Sequence, residues 1–239
     1  MKTIGLIGGM SWESTAEYYR LINEAVRERR GGLCSARCVL YSVDFAEVAD
    51  LQRCGRWTEA ARMLVDAAQR VERAGAAMVL ICTNTMHKLA DEVQAGVAIP
   101  LLHIADATAD KVRRDGLRRV GLLGTRFTME EDFYCGRLAR QFGLDVLIPV
   151  PEDRETVHRL IFEELCMGQL RAESKAQAAA IMGRLVARGA EGIILGCTEL
   201  GLLIEPADCH VPLYDTTRLH AFAAVECALK PASEAPCQP

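Results

Sequence analysis

The sequence predicts an α/β protein of two pseudosymmetric, doubly wound domains, each with a parallel four-stranded sheet, and a site in the cleft between them. Three observations carry this expectation. Short apolar runs alternate with stretches of helical periodicity, the whole pattern occurs twice along the chain, and each half carries a short polar motif directly after a corresponding apolar run.

The first run, Thr3 to Ile7, leads into Gly8-Gly9 and then an amphipathic stretch from Ser14, the order of a buried strand, a glycine turn and a helix. Val39 to Val43 is a second strand. Thr58 is placed to cap a helix that runs to Ala74 and stops at Gly75, and Met78 to Ile81 is the third strand. Another helix follows Thr85, to about Gln94, before Pro100-Leu101-Leu102 begins a further strand. The second half repeats this order. Arg119 to Gly124 resembles the opening strand and turn, and Ala187 to Leu195 resembles Arg73 to Ile81. Gly5 to Gly121 is an offset of 116, Gly75 to Gly189 of 114, and Pro100 to Pro212 of 112, so two-residue loop changes separate otherwise matching stretches. A period this long belongs to duplicated domains. Their expected bounds are 1–100 plus 214–229 for the first and 101–213 for the second, and the proline-containing stretch 230–239 reads as a disordered tail.

Composition narrows the function. Half of the 239 residues are hydrophobic, a quarter are charged and the net charge is −4, with Lys and Arg scattered among acidic residues. No basic face is available for nucleic acid or an anionic membrane, which leaves small molecules as partners. The longest apolar stretch, around Ala74 to Cys82, is far short of the roughly 20 residues that span a bilayer. The start of the chain lacks the pattern of a signal peptide, so a cytoplasmic protein is expected. In that compartment the ten cysteines read as reduced thiols. Cys34 and Cys38 are the one close pair, with no second pair at zinc-site spacing, and no metal is expected.

The chemistry sits in the paired motifs Cys82-Thr83-Asn84-Thr85 and Gly196-Cys197-Thr198-Glu199. In parallel α/β sheets ligands collect at the carboxyl ends of strands, where both motifs fall. Sliding one half on the other by 114 residues pairs Thr83 with Cys197. Cys82 is one residue off and points to the opposite face. Two facing polar side chains suit proton removal on one side of a carbon and proton return on the other. A thiol suits the basic role, because its reference pKa of about 8.5 moves readily with its surroundings. Asn84, Thr85 and Thr198 offer donors for a carboxylate. Gly8-Gly9 lacks the spacing of a nucleotide-binding loop. His87 is open between a structural histidine and a helper near Thr83, and Glu199 between perturbing Cys197 and capping a helix.

At Gly8-Gly9-Met10, at Thr83 to His87, and at Ile194 to Glu199 the chain resembles the Asp/Glu racemase family, and the resemblance extends to about Leu229. It implies a cofactor-independent amino-acid racemase without pyridoxal phosphate or metal, a homodimer, and a free amino acid as substrate. It implies further that Cys197 and Thr83 are the acid/base pair, with Cys197 on the L-face, and that Met10, Gln52, Asn84, Thr85 and Thr198 line the substrate. Two departures stand out. Most members have a cysteine where this chain has Thr83, and a hydroxyl is a poor base and a weak acid at neutral pH. Aspartate-specific members have a Lys in the region that here reads Glu163-Glu164-Leu165-Cys166. Sister activities of the fold, namely hydantoin racemisation, arylmalonate decarboxylation and maleate isomerisation, reuse the same cysteine, and a non-catalytic binding protein would share the fold.

Overall fold

A computed structural model describes residues 1–231, so the expected disordered tail lies outside the described residues from position 232 on. The chain forms two compact units, Met1–Ile104 joined by the chain from His220 onward, and Ala105–Leu219.

In the first unit β1 (Ile4–Gly8) is central, with β2 (Cys38–Ser42) on one side and β3 (Met78–Ile81) on the other, all parallel. The helices are α1 (Trp12–Arg30), α2 (Phe45–Arg53), α3 (Trp57–Arg73) and the short α4 (Ala90–Ala95). Because β1 and β3 are buried throughout, their residues are apolar on both faces, as a sheet covered on two sides requires. Alternation sorts them into two cores. Ile7, Val79 and Ile81 pack with Val48, Leu64 and Val71 from α2 and α3, while Leu6, Leu80 and Cys82 pack with Tyr18 and Leu21 of α1 and with Ala221 and Val225 of the last helix.

This sheet has three strands where the sequence predicts four. Leu101 does lie beside Val79, with the Val79 N–H bonded to Pro100 O at 2.9 Å and the Leu102 N–H to Val79 O at 3.0 Å. Pairing stops there because Pro100 has no N–H and a helix begins at Ile104.

That helix, α5 (Ile104–Arg114), opens the second unit. There follow β4 (Arg119–Gly124), α6 (Arg126–Glu130), α7 (Asp132–Phe142), β5 (Asp145–Leu147), α8 (Pro151–Glu163), α9 (Ala172–Ala187), β6 (Gly192–Gly196), α10 (Leu200–Leu203), β7 (Leu213–Asp215) and α11 (Thr216–Leu229), which from His220 on belongs to the first unit. The sheet is parallel, in the order β5-β4-β6-β7, and has the expected four strands.

Strand register reproduces the repeat. Gly5 lies opposite Val79 and Gly121 opposite Ile193, offsets of 116 and 114; Val79 lies opposite Leu101 and Ile193 opposite Leu213, offsets of 114 and 112. The two central glycines share a purpose. A Cβ on Gly5 would lie 2.8 Å from Met78 O and 2.2 Å from a Val71 methyl, and one on Gly121 would lie 2.6 Å from Ile193 Cδ1. Each glycine lets a helix or a neighbouring strand close onto the sheet.

Among the described residues no helix is long and apolar enough to cross a membrane. Among the described residues Cys34, Cys38, Cys54, Cys82, Cys135, Cys166, Cys197 and Cys209 are free thiols.

Substituting Gly5→Ala is expected to destabilise the protein by about 1–3 kcal/mol through overpacking. Gly183 is exposed inside α9, where nothing lies within 4 Å of an added Cβ. Gly183→Ala should instead stabilise by roughly 0.5–1 kcal/mol. Urea unfolding of the two variants beside the wild type checks both signs.

Candidate active site

The two motifs sit at the carboxyl ends of β3 and β6, one in each unit. Ile81 lies opposite Ile7 and Leu195 opposite Leu123, and the residues two places further on are Thr83 and Cys197. Register therefore makes Thr83 and Cys197 equivalent positions. Cys82 falls on the α1 face of its sheet, where complete burial pushes its thiol up and out of reach of acid/base work.

In the first unit β1 runs into Gly8-Gly9, whose tightness is a packing requirement. Gly9 has φ +90°, and a Cβ there would lie 2.1 Å from Val43 O. Thr15 Oγ1 accepts the Gly9 N–H at 2.8 Å and donates to Ser11 O at 2.9 Å, while Ser11 caps α1 by accepting the Ser14 N–H at 3.2 Å. This fixes Met10, which is buried in one core cluster with Leu51 and Met86. Gln52 is also buried, although its polar surroundings in the sequence suggest a surface residue. Its Nε2 donates to Met86 Sδ at 2.9 Å, tying α2 to the 3-10 turn Thr85–Leu89. Gln52 thus touches the turn that follows Asn84, Met10 and Met86 belong to the same core cluster, Asn84 and Thr85 are buried, and Thr83 is half-buried.

His87, in the same turn, is structurally defined. Its Nε2 accepts the Ile104 N–H at 3.2 Å, so the proton resides on Nδ1, which donates to Thr83 O at 2.7 Å.

In the second unit Cys197, Thr198 and Glu199 are all buried, and the Cys197 thiol donates to Glu199 Oε2 at 3.0 Å. Gly196 lets this motif pass close to the sheet, since a Cβ there would lie 2.9 Å from Leu123 O. The Leu200 N–H bonds to Cys197 O at 3.1 Å and Thr216 Oγ1 donates to Leu195 O at 2.9 Å, so the backbone on either side of the thiol is held. Burial first, then the adjacent Glu199 carboxylate and then Cys166, hold the Cys197 thiol well above its ordinary range. At neutral pH it is a protonated thiol with a proton acceptor already in place. Cys166, in the segment Glu163 to Cys166, therefore bears on the same group.

Glu199 is the member of the site that sequence reasoning left unassigned. Its side chain makes no capping bond to α10, and the signal available was its position two residues beyond the thiol in the same motif.

The profile of the Asp/Glu/hydantoin racemases matches residues 7–224. The chain belongs to that family. The broad-specificity amino-acid racemase of Bacillus subtilis is 23% identical over 226 residues, covering 93% of this chain and 96% of that protein. A crystal structure assigned to the Asp/Glu racemases, from Yersinia pestis, is 51% identical with a TM-score of 0.90, covering 96% of this chain and all of that one. An aspartate racemase homologue from Pyrococcus horikoshii is 38% identical with a TM-score of 0.84, again over 96% of this chain and 100% of its own.

Within this racemase-family site the link between Glu199 and Cys197 is open to test by alkylation. Glu199→Gln removes the charge that, after burial, does most to keep the thiol protonated. Iodoacetamide labelling of Cys197, followed by peptide mass spectrometry across pH, should shift toward lower pH in the variant and run faster at neutral pH. An unchanged profile would mean that the carboxylate does not govern the thiol.

Proposed function

We propose that this chain is a cofactor-independent racemase of free amino acids in which Cys197 and Thr83 exchange protons with the two faces of the α-carbon. One observation supports this above the others: the strand register makes Thr83 and Cys197 equivalent, and at one of the two positions a buried thiol is already hydrogen-bonded to a carboxylate. An L-amino acid places its α-hydrogen against Cys197. The thiol passes its own proton to Glu199, the thiolate removes the α-proton, and the Thr83 hydroxyl delivers a proton to the opposite face. Asn84, Thr85 and Thr198 hold the α-carboxylate and stabilise the carbanion as its charge spreads onto those oxygens. Met10 and Gln52 shape the remainder of the pocket.

Acidic and broader side chains are both compatible with the relatives' names, and the absence of a Lys in Glu163 to Cys166 favours the broader range. The same reading makes the protein a cytoplasmic homodimer that needs no cofactor. Activity should then survive both a chelator and a carbonyl reagent.

The pair is chemically unequal, but the equilibrium constant of a racemisation is one, so kcat/KM must be equal in the two directions. The inequality appears instead in exchange with solvent. Incubation in D2O with L- and D-amino acids, followed by NMR of the α-proton, should show L-isomers exchanging faster than their D counterparts. Cys197→Ser should lose L-exchange by about two orders of magnitude or more, the scale of a lost general base. L-exchange that persists in this variant would sink the role of Cys197, and no exchange with any amino acid would point to a binding protein.

A further inference from the structure

The duplicated units differ in how they hold the carbonyl of the acid/base residue. In the second unit Cys197 O accepts a backbone bond from Leu200, and the repeat counterpart of His87, 114 residues on, is Gly201, whose added Cβ would lie 3.0 Å from Asp215. In the first unit the equivalent carbonyl, Thr83 O, accepts the imidazole Nδ1–H of His87, while the backbone N–H of His87 is occupied by Asn84 O. The far side of the same ring is anchored by the N–H of Ile104, the first residue of α5.

The ring has little freedom to move. It lies 4.6 Å from the His103 ring and 5.6 Å from that of His220, centre to centre. His220 is itself pinned, with Nδ1 bonded to the Tyr18 hydroxyl at 2.8 Å and Nε2 to Leu102 O at 2.8 Å. Burial lowers the pKa of His220 to about 4, so this neighbour is a neutral ring under ordinary conditions.

We infer that His87 is a positioning residue for Thr83, a neutral Nδ1–H imidazole that fixes the backbone of the threonine by bridging its carbonyl to the start of α5. This rests on the racemase reading above and adds a residue to it. A hydroxyl that must deliver a proton to one face of a carbon depends on placement more than a thiol does, because it has less intrinsic reactivity to spare.

Two conservative variants separate the ends of the bridge. Asparagine offers an amide N–H near the place of Nδ1, and glutamine an acceptor near that of Nε2. His87→Asn should keep racemisation and D-exchange within about twofold of wild type, whereas His87→Gln should lose about tenfold or more of both, the scale of a misplaced reacting group. L-exchange through Cys197 should persist in both variants, which a general folding defect would not allow. Equal loss in the two variants, or parallel loss of L- and D-exchange, would overturn the assignment. In the unmodified protein, imidazole 15N and 13C shifts should report the Nδ1–H form, and the Nε2–H form would overturn it without any variant. Absence of all exchange in the wild type would sink the racemase reading itself, whereas wild-type exchange with indistinguishable variants would sink only the role of His87.

Discussion

The parallel pairing of β1 with β3, repeated as β4 with β6, is the constraint on which the rest depends. Each pair is held in register at a glycine, Gly5 or Gly121, where any side chain would collide with the neighbouring layer. Once that register is set, alternation decides the fate of each residue at the strand end. Cys82 goes into an apolar core, while Thr83 and Cys197 fall at matching places beyond the last paired residues. A slip of one residue would exchange the roles of Cys82 and Thr83.

Burial then sets the chemistry. A carboxylate beside a buried thiol is costly unless each satisfies the other, and the bond between Cys197 and Glu199 does so. The first unit uses a different solution, with a neutral imidazole on a backbone carbonyl. Two copies of one fold thus surround equivalent positions with different electrostatics, and this matches the replacement of a thiol by a hydroxyl in one copy.

Much of this was legible in the sequence because it depends on periodicity. The offsets of 116, 114 and 112 measured between glycines and prolines recur in the sheet register, so the match of Thr83 with Cys197 could be made before any coordinates. What depends on side-chain direction was not legible. Without the family resemblance Gln52 reads as a surface residue until its amide is seen on Met86, and Glu199 stays open between capping a helix and perturbing Cys197 until its carboxylate is seen on the thiol. The fourth strand of the first sheet was overcounted because Pro100-Leu101-Leu102 has strand composition but only one paired position before α5 begins.

The bond between Cys197 and Glu199 also governs how the residue ages. Peroxides attack thiolates far more readily than thiols, and sulfinic and sulfonic products are not ordinarily recovered. Burial and the neighbouring carboxylate keep Cys197 protonated, and under the proposed mechanism the reactive thiolate would form only during turnover. Cys54, by contrast, is open to solvent, where oxidants reach it directly.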